Sequence, residues 1–164
     1  MFFKHQDSRE LEKSRYEVAR DDITHPLSAY APYAFELDGA EWPSVEHYYQ
    51  AMKFEDAEYR ELIRAAENPA RAAKLGKARF KKRRKDWKKN SVTYMTRGTY
   101  IKCRTHTELT EMLLATEELD IKDLTMYDYF WGSGRDMRGQ NRFGKMLMGA
   151  APAKMSATAR SACS

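Results

Sequence analysis

The predicted fold is built around residues 44–54, which read Ser44-Val45-Glu46-His47-Tyr48-Tyr49-Gln50-Ala51-Met52-Lys53-Phe54. Pro43 and Ser44 predict that a helix begins here, because a serine hydroxyl at the N-cap accepts a backbone N–H of the first turn. Spacings of four and seven residues place Glu46, Gln50 and Lys53 on one face of that helix. Most of the other positions are apolar or aromatic, as in a packed helix. A carboxylate, an amide and an amine in line on such a helix indicate a polar site set into the core.

Two of these side chains also have an ordinary explanation. Glu46 is at the second helical position, where a carboxylate gains about 0.3–1 kcal/mol from the helix dipole. Lys53 could be an exposed ammonium at the end of an apolar stem. The stretch alone therefore leaves open the choice between a site and a solvated helix face.

Length and composition restrict the class of protein. The 164 residues are enough for one domain, and they contain no apolar run as long as a transmembrane helix. The first five residues lack the basic-then-apolar order of a signal peptide. Two cysteines and four scattered histidines provide neither a disulfide framework nor the spacing of metal ligands. We therefore expect no membrane contact, no metal and no cofactor, and a cytoplasmic location (nuclear in a eukaryotic cell), while the oligomeric state stays open.

Positive charge is concentrated in residues 71–89. This segment holds eleven Lys or Arg against one acid, Asp86, so it carries +10 while the rest of a chain of net charge +5 carries −5. Such a field attracts polyanions, and we expect Lys81, Lys82, Arg83 and Arg84 to dock nucleic acid. A solvated basic face or a nuclear-localisation-type run explains the same composition.

Turn and capping signals predict most of the other elements. Asp38-Gly39 lies within alternating residues 35–42 and favours a type I′ hairpin. Apolar periodicity and caps predict further helices over about 57–67, over 69–75 after Asn68, from 86 onward, from 107 onward with Thr107 as cap, and from about 143 to 148. Residues 127–131 are short and aromatic, which is typical of a strand, and 132–141 form a loop rich in glycine and arginine.

Both ends of the chain are predicted to lie outside the main domain. Residues 1–26 are predicted to be an N-terminal extension or insertion, with a short edge strand at Phe2-Phe3 and helical composition up to Asp22. Residues 151–164 are small and polar and are predicted to be a flexible tail. The remaining residues, 27–150, form the predicted domain.

The loop at residues 128–141 has a composition suited to an anionic ligand. Gly132 and Gly134 allow backbone N–H groups to approach an anion, and Arg138 can neutralise it. Trp131 offers a face on which a base can stack, worth ~1–3 kcal/mol, and Asp128 could accept ribose hydroxyls or act as a base. A turn at the end of a strand with a core tryptophan would look the same.

Taken in order, these motifs resemble the NADAR family of YbiA-like N-glycosidases. The likeness spans about residues 27–148 and is carried by Leu27-Ser28, Asp38-Gly39, Trp42-Pro-Ser-Val-Glu46-His-Tyr-Tyr-Gln50-Ala-Met-Lys53-Phe, Asp86-Trp87, Met95, Lys102, Leu113-Leu114-Ala-Thr116, Asp128-Tyr-Phe-Trp131-Gly-Ser-Gly134 and Asn141-Arg-Phe-Gly144-Lys-Met-Leu147-Met. Ordered motifs in four separate places are more specific than any one of them.

The resemblance implies a single compact α+β domain, mainly helical, with a small sheet or hairpin. It implies hydrolysis of the bond between a ribose and a nitrogen, either in a phosphorylated riboflavin-pathway intermediate or in ADP-ribose attached to guanine in nucleic acid. Lys53, Glu46 and Asp128 would be catalytic. The residues expected to bind substrate are Trp131, Gly132, Gly134, Asn141, Gln50, Lys102 and Arg138.

The chain departs from the family pattern in places that concern substrate choice. Ser28-Ala29-Tyr30 stands where the family typically has Ser-Asn-Phe, and no Glu is present between Leu119 and Asp123, where the family usually carries Leu-x-Glu. Two non-catalytic alternatives also remain. One is a nucleic-acid binding module that depends on the basic segment and not on Glu46 or Lys53, and the other is a binder of ADP-ribose that does not cleave it.

Overall fold

The computed structural model describes residues 14–150. The elements follow in the order β1 (Arg15–Val18), β2 (Phe35–Leu37), β3 (Ala40–Trp42), α1 (Val45–Ala51), α2 (Ala57–Arg64), α3 (Pro69–Leu75), α4 (Trp87–Thr105), α5 (Thr107–Ala115), β4 (Asp120–Asp123) and α6 (Arg142–Gly149). β1 pairs with β4 in parallel, and β2 pairs with β3 in antiparallel orientation. The predicted class, a mainly helical α+β domain with small sheets, is confirmed.

Helix α1 is the centre of the fold, and all seven of its residues are buried. The predicted cap is confirmed, since the Ser44 hydroxyl accepts the His47 N–H at 3.2 Å. The helix packs against α2, α3 and α4. A Cβ at Gly98 of α4 would lie 2.9 Å from Tyr48 Cδ1, so the glycine lets the two helices approach closely.

The helix ends earlier than the sequence suggested, and this changes where Lys53 lies. α1 ends at Ala51, with Met52 as its C-cap, so Lys53 is in the turn that follows and not on the helix face. The reason is a competing backbone partner: Arg84 N–H donates to the Lys53 carbonyl at 2.8 Å, and Phe54 forms an isolated β-bridge with Arg83. The basic segment is thereby attached directly to the end of the central helix.

The hairpin prediction is confirmed. β2 and β3 pair Phe35 with Trp42 and Leu37 with Ala40. The two turn residues, Asp38 and Gly39, have φ of 54° and 76°, the left-handed values that a type I′ turn requires.

Helix ends agree with the predicted signals in part. Asn68 caps α3 through its side chain, which accepts the Arg71 N–H at 2.8 Å, and Gly76 is the C-cap. α2 ends at Arg64, three residues before the predicted end. Thr107 is the first residue of α5 and not its cap, and the N-cap His106 makes no side-chain capping bond.

Two assignments in the strands were wrong. Residues 15–18, within the stretch of helical composition, form β1, because Tyr16 and Val18 pair with Ile121 and Asp123 more than 100 residues along the chain. Residues 127–131 form no strand, because Asp128 Oδ1 accepts the N–H groups of Phe130 and Trp131 and folds the segment into turns. The Phe2-Phe3 strand and the tail at 151–164 lie outside the described residues.

Residues 14–26 contribute to the same packed unit as the rest. β1 lies beside β4, and Val18 is part of the hydrophobic core that also includes Ile121 and Leu147. None of the helices within residues 14–150 is long and apolar enough to cross a membrane.

Candidate active site

Glu46 is fully buried on α1, and both oxygens of its carboxylate accept a hydrogen bond. Gln50 Nε2, one turn along the helix, donates to Oε1 at 2.6 Å, and Arg20 Nη1 donates to Oε2 at 2.6 Å. A buried carboxylate is tolerated when it is paired and hydrogen-bonded in this way. The two donors therefore fix the orientation of the Glu46 carboxylate.

Arg20 is a site residue that the sequence reasoning missed. It lies two residues after the end of β1, and its Nη2 lies 3.6 Å from Asp128 Oδ2, so one guanidinium lies between two of the predicted catalytic carboxylates. Burial disfavours its charge, but Glu46 and the neighbouring acids outweigh that cost and raise the pKa of Arg20. No local signal marks Arg20, because the β1–β4 pairing is what brings it here.

Lys53 is also buried, with 8% of its surface exposed. Burial and, next, the nearby charge of Arg83 lower the pKa of its amine to about 8, against the opposing effect of Glu46. Its Nζ lies 5.4 Å from the centre of the Tyr49 ring. The structure thus places an amine that titrates near neutrality within electrostatic reach of the Glu46–Arg20 pair.

Asp128 and the glycines shape the loop beside this cluster. A Cβ at Gly132 would lie 2.7 Å from the Asp128 carbonyl and 2.8 Å from the Thr125 carbonyl, so only glycine fits. Gly134 has φ of 70° and lies against the Tyr129 ring. Close backbone contacts account for Gly132, and the left-handed backbone and the Tyr129 ring account for Gly134. The predicted role of both glycines in binding an anion stays a prediction.

Trp131 does not lie where stacking on a ligand requires. It is 4% exposed, it packs edge-on against Tyr49 with ring centres 5.7 Å apart, and its Nε1 donates to the Tyr49 hydroxyl at 3.3 Å. A ring that stacks on a ligand is expected to be partly exposed, and for Trp131 that expectation is wrong in this structure. Tyr129 and Phe130, at 47% and 36% exposed, have accessible rings in the same segment.

Asn141 and Lys102 make contacts within the fold. Asn141, in a left-handed conformation, accepts the Asp123 N–H at 2.8 Å and donates to the Ile121 carbonyl at 2.9 Å, which joins α6 to β4. Lys102 Nζ donates to the Ser28 carbonyl at 2.7 Å, and burial lowers the pKa of this amine to about 8. Neither side chain has a contact with Glu46 or Lys53, and their predicted substrate contacts stay predictions.

The other predicted binding residues lie on the surface. Arg138 is exposed, with Nε 3.9 Å from Asp136 Oδ2. Among the four predicted docking residues, Lys81 pairs with Asp56 at 3.3 Å and Arg84 with Asp86 at 2.6 Å, whereas Lys82 and Arg83 are exposed and form no ion pair with any described residue.

Between residues 14 and 150, no three His, Cys, Asp or Glu side chains come together as the ligands of a metal ion would. The charged groups that lie together at the site are those of Lys53, Glu46, Arg20 and Asp128.

Comparison with known proteins identifies the family. The NADAR domain model matches residues 2–151. N-glycosidase YbiA of Escherichia coli is 40% identical over 122 residues, which cover 74% of this chain and 76% of YbiA. Riboflavin biosynthesis protein VVA0006 of Vibrio vulnificus is 35% identical over 138 residues, which cover 84% of this chain and 38% of that protein.

The fold agrees with this match. The NMR structure of E. coli YbiA superposes with a TM-score of 0.78 at 32% identity, covering 90% of this chain and 88% of that one. The resemblance seen in the sequence motifs is thus confirmed in both sequence and structure. The chain belongs to the NADAR domain family and is an enzyme of the N-glycosidase class.

Proposed function

We propose that the protein hydrolyses the bond between C1 of a ribose and a nitrogen of a base, with Lys53 as the nucleophile and Glu46 as its proton partner. The observation that carries this proposal is the position of Lys53: a buried amine with a pKa of about 8, beside Arg83 and coupled to Glu46. With that pKa, about a tenth of the amine is uncharged at pH 7 and available to attack carbon.

The proposed reaction has two stages. The free amine of Lys53 attacks C1, and the C1–N bond breaks with its electron pair going to the base nitrogen, which takes up a proton. The nitrogen of Lys53 gives up both of its protons through Glu46, one to the base nitrogen and one to the ring oxygen, which leaves C1 as a hydroxyl, and the open sugar is held as an imine. Water then adds to C1, the bond to Lys53 breaks, and the sugar leaves with the amine restored.

Charge at the site favours such a path. Positive charge develops on the sugar as the base departs, and a carboxylate close to C1 stabilises it. Glu46 is fixed for this task by Gln50 and Arg20, and Asp128 lies on the other side of the same guanidinium. Arg20 in turn compensates the charge of the buried Glu46 carboxylate and of the partly buried Asp128 carboxylate.

For the substrate, we propose ADP-ribose attached to guanine in nucleic acid. The support is electrostatic: residues 71–89 carry eleven cations, and Arg83 of that segment lies close enough to Lys53 to shift its pKa. A polyanion drawn to this segment would present a base near the amine.

A second candidate substrate is a phosphorylated intermediate of riboflavin synthesis. The support is the names of two relatives, VVA0006 of Vibrio vulnificus and the chloroplastic protein PYRR of Zea mays, both described as riboflavin biosynthesis proteins. Such a substrate also contains a ribose–nitrogen bond, so the same Lys53 chemistry would apply.

One assay separates the two. The protein is incubated with guanine-ADP-ribosylated oligonucleotide and, separately, with the riboflavin intermediates, and the released ADP-ribose or ribose 5-phosphate is measured. We expect release from the oligonucleotide, with Lys53→Arg as the inactive control. Release from the riboflavin intermediates alone would support the second candidate, and release from neither would argue for a binding module.

A further inference from the structure

A cleft of about 510 Å³ lies between the hairpin, α2 and α4, and the candidate active site does not account for it. Glu46, Lys53 and Asp128 do not line it, but Met52 does, so the cleft begins one residue from Lys53. Arg84, whose N–H donates to the Lys53 carbonyl, is also part of its wall. The wall of the cleft thus includes Met52, the neighbour of Lys53 in the chain, and Arg84, its backbone hydrogen-bond partner.

The wall of the cleft carries more positive than negative charge. Four arginines (Arg60, Arg64, Arg84 and Arg97) line it with two carboxylates, Asp38 and Glu61. Three of these arginines come from α2 and α4, outside the basic segment 71–89. The lining as a whole therefore has two more cations than anions.

The pairing of these groups leaves one guanidinium without a carboxylate. Arg97 pairs with Asp38 at 2.6 Å, Arg64 pairs with Glu61, and Arg84 pairs with Asp86 at the edge of the cleft. Arg60 donates through Nε to the Phe54 carbonyl, and no acid in residues 14–150 lies within ion-pair distance of it. A planar guanidinium can donate two parallel hydrogen bonds to two oxygens of one phosphate.

A second depression adjoins the cleft and shares Arg84 with it. It measures about 420 Å³, and its wall holds Lys82, Arg83 and Lys85 together with Glu55 and Asp86. Seven cations and four carboxylates thus line the two depressions together. A ligand that uses both needs more than one phosphate.

We propose that the cleft formed by Arg60, Arg64, Arg84 and Arg97 binds the phosphate backbone of a single nucleic-acid strand whose modified base is at Lys53. The proposal rests on the nucleic-acid form of the proposed function. A single strand is the partner because a base enclosed at Lys53 has to leave any duplex first.

The test measures binding of an unmodified, labelled single-stranded oligonucleotide of about 20 nucleotides by fluorescence anisotropy at several salt concentrations. For the double variant Arg60→Gln/Arg97→Gln, we expect Kd at low salt to rise about tenfold and the salt slope to flatten by about 1.4, or 0.7 for each lost contact. The matched control Arg104→Gln/Lys145→Gln removes two exposed charges outside the cleft, and its Kd should change by less than about threefold.

Two further variants distinguish a loss of oligonucleotide binding from a loss of folding. Arg97→Gln alone removes a half-exposed side chain and should weaken binding about threefold with an unchanged melting temperature. Glu61→Gln removes a carboxylate from the wall and frees Arg64, so it should tighten binding. Loss of affinity with Glu61→Gln would contradict the proposal.

Three results would overturn the proposal. The first is that the cleft and control double variants weaken oligonucleotide binding equally, and the second is that the wild type does not bind the oligonucleotide at all. The third result is displacement of the oligonucleotide by the same concentration of GMP. The last result would make the cleft a site for free nucleotides. Because the probe carries no ADP-ribose, binding can be measured with Lys53→Arg, so that failure of the cleft is distinguished from failure of the glycosidase.

Discussion

Two buried lysines, Lys53 and Lys102, have amines of similar pKa in different surroundings. Burial is the main reason that the pKa of each amine is lowered to about 8. Lys102 is 1% exposed, and its Nζ donates to the Ser28 carbonyl and lies 5.4 Å from the Tyr33 ring centre. Lys53 is coupled to Glu46, Arg83 and Arg20, and its Nζ has no hydrogen-bond partner within residues 14–150.

A lowered pKa therefore does not by itself identify a nucleophile. The Lys102 amine is held by a backbone carbonyl next to Ala29, whose own carbonyl accepts the Glu46 N–H at 3.0 Å. This arrangement supports the loop that leads to the site. The Lys53 amine has a carboxylate and two guanidiniums as neighbours, and these are the groups that a proton-transfer reaction needs.

Replacing the two lysines should give the largest contrast. Lys53→Arg keeps a positive charge but has no free amine at neutral pH, so we expect turnover to fall at least about 10³-fold with normal folding. Lys102→Met fills a similar volume and removes an amine that contacts only the fold, so we expect normal folding and a loss of less than about tenfold in turnover. Single-turnover rates and denaturant unfolding measure both. If Lys53→Arg were active, or if Lys102→Met folded well but were inactive, Lys102 and not Lys53 would be the nucleophile.

Glu46→Gln should give the next largest effect on turnover. The amide can still accept a hydrogen bond but cannot carry a proton, so we expect a loss of roughly 10²–10⁴ in turnover. Substrate affinity, measured by titration with the inactive variant, should change little. A loss in affinity alone would make Glu46 a binding group.

Arg20→Met tests the residue that joins Glu46 to Asp128. Removing one partner leaves a buried carboxylate without its counter-ion, so we expect a loss of about 3–5 kcal/mol of stability. The double variant Arg20→Met/Glu46→Gln should recover part of that loss, because the buried carboxylate that lost its counter-ion is gone as well, and chemical denaturation measures both. Equal stability of the single and double variants would mean that the pair is not coupled.

The role of Arg20 also shows where sequence reasoning stops. The Ser44 cap, the Asp38-Gly39 turn and the Asn68 cap are local signals, each contained in a few residues, and all three were predicted correctly. The β1–β4 pairing joins segments more than 100 residues apart, and four-residue strands are too short for alternation to mark them. Arg20 reaches the site through that pairing, so no local pattern could have identified it.

The position of Lys53 illustrates a second limit. Helix periodicity suggested a face shared with Glu46 and Gln50, and the charges do lie together, but the helix ends two residues earlier. The backbone bond from Arg84 to the Lys53 carbonyl is again a long-range contact. Trp131 was misjudged for the same reason, because its exposure depends on Tyr49 of a distant helix.

The smallest predicted effects concern pH. The folded-state pKa of Lys102 is about 8, below its usual value of 10.5, so the unfolded chain binds more protons between these values and stability should rise with pH across that range. The free energy of unfolding is measured from pH 7 to 10 for the wild type and for Lys102→Met. In the variant, the part of the rise that comes from this lysine should be absent. A rise of the same size in the variant would mean that Lys102 contributes nothing to it.

The pH dependence of activity should follow the protonation of the Lys53 amine and not that of Lys102. The rate should increase with pH as this group loses its proton near pH 8. Arg83→Gln removes a neighbouring cation, so the rising part of the profile should move to higher pH by roughly half a unit to one unit. Arg104→Gln, on the exposed end of α4, is the matched control and should leave the profile in place.

The proposed reaction requires that Lys53 form a covalent imine with the sugar, and reductive trapping detects that imine. Borohydride is added during turnover, and the peptides are analysed by mass spectrometry. The account predicts a sugar-sized mass increment on the peptide that contains Lys53, absent from Lys53→Arg. A label on Lys102, or full activity with no label on any lysine, would contradict the account and favour a carboxylate that activates water.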